Sequence, residues 1–258
     1  MTVRHPFGFV EPCLPSKAEQ PPSGPLWVHE IKHDGYRLMV RRDGSRIVRC
    51  FTRNGNDWTD RFPAIVETAT QLRATSFLIE GEAVNIGDDG TPDFRALRSQ
   101  HRDHEAVLVA FDLLERDGED LRDLPLIERK RRLGRLIGKT KNRRAIQYGE
   151  HLKGNGASVL DYACRLGLEG IVSKRVDAPY RSGPSKTWIK SKNPAMERAR
   201  LCLPLRLAAS QKGLGYVHMV FDDDIDGGGH ASYRASPSVD STRQEHAGRD
   251  IPYGDRKN

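Results

Sequence analysis

No apolar run in this sequence approaches the roughly 20 residues that a membrane-spanning helix requires. The first residues also lack the apolar core of a secretory signal, because Pro6, Pro12 and Pro15 interrupt it. Cysteine is scarce: Cys13, Cys50, Cys164 and Cys202 are scattered, with no Cys-x-x-Cys pair. That points to reduced, mostly structural thiols in a cytosolic compartment. Acids are outnumbered, 35 against 42 lysines and arginines, and the resulting net charge of +7 favours polyanionic partners. At 258 residues, 37% hydrophobic and 30% charged, the composition is that of a soluble globular protein with one large domain or two small ones.

The pattern along the chain divides it in three. Residues 1–25 are proline-rich and read as an extended lead-in. Residues 26–193 alternate strand-like and helix-like segments and predict an α+β domain of mostly antiparallel sheets flanked by helices. Strands are expected from Leu26 through Phe51, at Phe77-Leu78-Ile79, from Ala106 to Leu114, from Ala145 to Tyr148, from Leu168 to Lys174 and from Thr187 to Lys192. Helices are expected over 61–74, from Asp93 to about His104, over 126–137 and over 157–166. The helix over 126–137 carries Arg129, Lys130, Arg131 and Arg132, which read as a solvated basic face. Residues 194–258 turn rich in Gly, Ser, Asp and Arg and read as a largely disordered tail. Asp222-Asp223-Asp224-Ile225-Asp226-Gly227 opens like a calcium loop, but Tyr233 stands where the closing glutamate is needed, so that reading fails. His101 and His104 read as surface residues rather than metal ligands.

One stretch organises the rest: Glu30-Ile31-Lys32-His33-Asp34-Gly35-Tyr36-Arg37. It sets a lysine between acids at the mouth of a hairpin predicted from Asp43-Gly44 between two apolar runs. A lysine amine becomes a nucleophile only when burial or neighbouring cations lower its pKa. Lys190 and Lys192, at i and i+2 on one strand, point to one face and supply such cations. Taken singly, each signal has a bland reading: Phe111 as core, Glu80 and Glu82 as an edge strand, Lys190 and Lys192 as edge guards against aggregation. The ensemble favours chemistry.

Six segments carry it: Lys32-His33-Asp34-Gly35-Tyr36-Arg37, Arg53-Asn54-Gly55, Glu80-Gly81-Glu82, Phe111-Asp112-Leu113-Leu114, Glu169-Gly170-Ile171-Val172-Ser173-Lys174 and Trp188-Ile189-Lys190-Ser191-Lys192. In this order they resemble the nucleotidyltransferase motifs of ATP-dependent DNA ligases, closest to the small bacterial type, over roughly residues 8–194. The resemblance implies lysine adenylation from ATP, AMP transfer to a DNA 5′-phosphate and sealing of nicks in DNA repair. It makes Lys32 the nucleophile, Lys190 and Lys192 the phosphate clamp, Lys174 a further cation and Glu169 the holder of Mg²⁺ or Mn²⁺. It assigns Glu82 to the ribose, Phe111 to stacking on adenine, Glu30 to the purine edge, and Arg37 and Arg53 to phosphate or sugar. The substrate is then nicked double-stranded DNA, and the protein a cytoplasmic, nucleoid-associated monomer.

Two departures follow. Family members continue past the last lysine motif with an OB-fold, and no run of five alternating strands follows Asn193, so a repair partner is expected to supply that module. Pro184 also stands where a nucleotide-contacting arginine is common, with Lys186 or Arg181 as substitutes. RNA ligases and capping guanylyltransferases share the lysine chemistry, and a non-catalytic nucleotide- or DNA-binding remnant is the alternative outside the enzyme class.

Overall fold

Leu38 and Val40 alternate with Met39 along one strand, and in a strand that alternation sends neighbours to opposite faces. In the computed structural model, which describes residues 8–45, 47–86, 97, 102–138 and 145–196, both faces are buried in separate cores. The second sheet runs β4(Val48–Thr52)-β3(Tyr36–Arg42)-β5(Phe77–Val84)-β6(Val107–Arg116)-β7(Glu119–Asp120), with β8(Ile146–Tyr148) added parallel to β6. The first runs β1(Cys13–Lys17)-β10(Gly183–Lys192)-β9(Gly170–Arg175)-β2(Trp27–Ile31). Only β1/β10 and β6/β8 are parallel pairs among the described strands. The expected α+β class with mostly antiparallel sheets is what the chain adopts.

Leu38, Val40, Ile79, Ala83, Leu108 and Ala110 pack on the helical side, against Ile65 and Ala69 of α1(Pro63–Thr70) and Leu133 and Leu136 of α2(Leu126–Ile137). Met39, Leu78 and Leu114 face the other way, and meet Cys13, Val28 and Trp188 of the first sheet in an inter-sheet core. The helix α3(Gly156–Arg165) is capped by Asn155, whose side chain accepts from the amides of Ala157 and Ser158 at 2.9 and 3.2 Å. No helix of the described residues is long and apolar enough to cross a membrane. Cys13 and Cys50 are free and buried.

Two expectations change, the edge-strand alternative falls, and one expectation lies mostly outside the described residues. Part of the proline-rich lead-in is strand β1, which the Tyr180 hydroxyl helps pin by accepting from the Cys13 amide at 2.8 Å. Arg129 and Lys130 are fully buried, not solvated, because acids on other elements receive them. Glu80 and Glu82 lie inside β5, paired on both sides, and β10 likewise has neighbours on both edges. Neither segment is therefore a sheet edge. The helix expected from Asp93 lies outside the described residues except for Leu97 and a short 3₁₀ turn at Asp103–Glu105. Residues 197–258 of the tail, with the calcium-like run, also lie outside them.

Candidate active site

Strand register alone gathers most of the charged residues. Across β2 and β9, Val28 opposes Lys174 and Glu30 opposes Val172. Across β10 and β9, Trp188 opposes Lys174, Lys190 opposes Val172 and Lys192 opposes Gly170. Directly opposed residues share a face. Glu30, Lys174, Trp188, Lys190 and Lys192 therefore project from one side of the first sheet. Lys32 lies just past the end of β2, where the chain crosses to β3 in the other sheet, and its amide donates to the Gly170 carbonyl at 2.9 Å. Its Nζ meets Glu169 Oε2 at 2.5 Å. On the other flank the Asn193 amide donates to the Glu169 carbonyl at 2.9 Å. Glu169 and Gly170 are thus clasped between the nucleophile segment and the end of β10.

Two glycines make that approach possible. A side chain on Gly170, which holds φ +143°, would meet the Ser191 carbonyl oxygen at 2.2 Å. One on Gly35 would meet the Ala83 carbonyl oxygen at the same distance, so the chain after Lys32 can lie against β5 only without a Cβ.

The second sheet supplies the opposite wall. Arg37 opposes Glu82 across β3 and β5, and its Nε donates to Glu80 Oε1 at 2.8 Å, with Glu80 fully buried. The register between β5 and β6 slips between Glu80 and Gly81, leaving Phe111 as the extra residue of a bulge. The half-buried Phe111 ring packs on the inter-sheet core, edge-on to Trp188 at 6.0 Å, with Lys174 Nζ 4.1 Å and Arg37 Cζ 5.2 Å from its centroid.

Electrostatics follow from this crowding. Burial pushes the Glu82 carboxyl up to about 7, although Arg37 and Lys32 pull the other way. Burial first, and then the cations of Lys192, Lys32, Arg53 and Lys17, hold the Lys190 ammonium below the usual lysine range. Arg53 is exposed, at the end of the strand that carries Phe51, and close enough to act on Lys190. Burial also lowers Lys174, opposed by Glu30, whose Oε2 is 2.6 Å away.

The structure therefore brings Lys32, Glu169, Lys190 and Lys192 to one corner, with Arg53 beside it and Glu82 and Arg37 across from it. Glu30, Lys174 and Phe111 form an adjoining corner. Of the residues suggested near Pro184, Arg181 is held by Asp123 at 2.8 Å and Lys186 is exposed. Three groups escaped the sequence reading. Lys17 stands opposite Lys190 in the parallel β1/β10 pair. Lys130 grips Glu30, and Arg129 grips Asp112 with two hydrogen bonds at 2.8 and 2.9 Å. The only signal available for Lys17 was its place in a short polar–apolar run, and for the other two there was none.

A sequence profile described as the ATP dependent DNA ligase domain matches residues 17–192, and all six segments lie inside that range. The chain belongs to the ATP-dependent DNA ligase family. It is 40% identical over 187 residues to the multifunctional non-homologous end joining protein LigD of Pseudomonas aeruginosa, a match covering 71% of this chain and 22% of that protein. The crystal structure of the ligase domain from M. tuberculosis LigD superposes with a TM-score of 0.61 at 30% identity, covering 70% of this chain and 60% of that one. A mycobacterial DNA ligase D complexed with ATP and MES gives 0.60 at 30% identity, covering 70% and 59%. The chain thus spans about a fifth of its curated LigD relative and three fifths of the solved ligase domains. What it shares with the solved ligase domains is the fold of the superposed part.

Proposed function

We propose that this chain performs the adenylation chemistry of an ATP-dependent DNA ligase in DNA repair. The observation that carries the proposal is the Lys32–Glu169 contact at 2.5 Å on a face shared with Lys190 and Lys192. In the first step the Lys32 amine attacks the α-phosphorus of ATP. Lys32 first gives one proton to water and attacks as the neutral amine; a nitrogen–phosphorus bond forms, the bond to pyrophosphate breaks, and the remaining amine proton leaves to solvent, while Glu169 stays ionised beside it. Lys190 and Lys192 oppose the charge that develops on the phosphate oxygens, an effect largest where donors are already in place. Lys174 adds positive charge behind them, and Phe111 and Glu30 receive the adenine. Glu82 receives a ribose hydroxyl, its carboxyl oxygens accepting the hydroxyl proton. Arg37 and Arg53 hold phosphate or sugar, including the 5′-phosphate of the nick.

Among the described residues no three His, Cys, Asp or Glu side chains form a metal cage. Glu169 would hold Mg²⁺ or Mn²⁺, a hard cation that takes carboxylate oxygens. Bound there, the ion neutralises phosphate charge. AMP then passes to the 5′-phosphate of nicked duplex DNA, and the 3′-hydroxyl displaces it to seal the strand. A DNA-binding module contributed by a repair partner then completes the cycle of this cytoplasmic, nucleoid-associated monomer. DNA binding by this chain alone is then weak and falls steeply with salt.

Incubation with labelled ATP and Mg²⁺ or Mn²⁺, followed by denaturing electrophoresis, tests the reading. Label on the wild type and none on Lys32→Ala supports it. Label from GTP instead of ATP would indicate a capping-type enzyme, and no label at all a binding remnant.

A further inference from the structure

Helix α2 sends two of its basic residues inward, and one of them reaches the nucleotide corner. Lys130 is fully buried. Its Nζ donates to Glu30 Oε1 at 2.7 Å and to the Gly149 carbonyl at 2.9 Å, and lies 3.5 Å from the Phe111 carbonyl. An ammonium has three protons, and all three have acceptors here. Glu30 Oε2 is held in turn by Lys174 at 2.6 Å, and the carboxylate is 6% exposed. One side chain outside the six segments thus ties together the strand that leads to Lys32, the bulge that carries Phe111 and the turn after β8.

We propose that Lys130 is a positioning residue that fixes Glu30 as an ionised acceptor at the base end of the site, and thereby sets the preference for adenine over guanine. The inference rests on the reading of Glu30 as the group that meets the purine edge. An ionised carboxylate only accepts hydrogen bonds and has about four acceptor sites, of which the two lysines take two. Adenine offers an amino donor at C6 where guanine offers a carbonyl acceptor. A carboxylate kept charged and aimed therefore gains a bond with adenine and repels guanine. A carboxyl free to rotate or take a proton loses that distinction. Burial pushes Glu30 toward the neutral form, but Lys130 and Lys174 together outweigh it and hold the group below the usual carboxylate range. Lys174 is the less secure of the two, since burial lowers its own affinity for the proton, whereas Glu30 and Tyr148 outweigh burial at Lys130. The partly exposed His151, with its Nδ1 buried and unpaired, faces the same cluster.

The test is self-adenylation of the full chain at varied ATP and GTP, for wild type, Lys130→Met, Glu30→Gln and the double variant. Lys130→Met should raise KM for ATP about tenfold, with the smaller part of the loss in kcat, and narrow the ATP:GTP ratio of kcat/KM by about tenfold, the size of effect expected from one misplaced hydrogen bond. Glu30→Gln should do the same. Because one residue acts through the other, the double variant should be no worse than either single one. If Lys130→Met fails to fold, the double variant, which removes both charges, provides the readout. A folded Lys130→Met or double variant that keeps the wild-type ratio overturns the proposal, as do losses that simply add. If Glu30→Gln alone leaves the ratio unchanged, the purine-edge reading falls and takes this inference with it. If Glu30→Gln narrows it and Lys130→Met does not, only the role of Lys130 is refuted.

Discussion

Replacing Arg129 by Met should destabilise this fold more than any other single surface-to-sequence argument would suggest, because the residue looks like part of a solvated run. Its guanidinium and the Asp112 carboxylate are both fully buried. Nε and Nη2 donate to the two oxygens of Asp112 at 2.8 and 2.9 Å, and Nη1 to the carbonyls of Leu124 at 2.6 Å and Ala178 at 3.1 Å. Methionine fills much of the volume but makes none of these bonds, leaving a buried carboxylate without its cation. Removing one partner of such a pair costs about 3–5 kcal/mol. For a domain of this size each kcal/mol moves Tm by roughly 2–4 °C, so the expected fall is about 6–20 °C. Urea unfolding followed by fluorescence of Trp27, Trp58 and Trp188 gives the free energy directly, and a thermal scan gives Tm. The double variant Arg129→Met, Asp112→Leu should recover most of the loss, since an apolar pair of similar volume is often as stable as the buried ions it replaces. A single-variant loss below about 1 kcal/mol, or a double variant no more stable than the single, would refute the reasoning.

Other outcomes follow from the same geometry. Lys190→Ala should slow Lys32 adenylation by about 10²–10³-fold at saturating ATP, the usual cost of removing one charge-stabilising donor, and pre-steady-state rates would show it. Gly170→Ala should cost about 2 kcal/mol or more, because alanine is strained at φ +143° and its Cβ meets the Ser191 carbonyl; a urea midpoint equal to wild type would count against this. His151 has its pKa pushed down to about 4 by burial and by Lys130, from an ordinary value near 6.5. The folded state therefore refuses a proton that the unfolded chain takes, so the stability His151 contributes is present above pH 6.5 and is lost as pH falls toward 4. The unfolding free energy of wild type minus His151→Asn should decline across that window, as urea titrations at successive pH values would show. Lys17→Ala should slow adenylation less than Lys190→Ala, as its side chain is exposed beside the site rather than within it.

The residues that sequence spacing could place are those whose neighbours are set by strand geometry. Lys190 and Lys192 share a face because they are two apart on a strand, and Glu169 leads into the strand that pairs with theirs. The residues it could not place depend on partners far along the chain. Lys130 meets Glu30 100 residues away, and nothing in a run of four basic residues tells which of them turn inward. Lys17 reaches Lys190 only because β1 pairs in parallel with β10, and Pro12 and Pro15 masked a strand at the sheet edge, where proline is tolerated. Phe111 stands two residues after Val109, which opposes Glu82, so simple alternation already turns it to the inter-sheet side, and the bulge then lets the adjacent Asp112 oppose Glu80 as well.

The central claim is that Lys32 becomes covalently bonded to AMP. Peptide mapping by mass spectrometry after incubation with ATP and Mg²⁺ tests it most directly. The account predicts AMP on the peptide containing Lys32, lost on treatment with acid, which cleaves phosphoramidates, and absent from Lys32→Ala. AMP on any other residue, or an unmodified Lys32 peptide in protein that binds and turns over ATP, would contradict it.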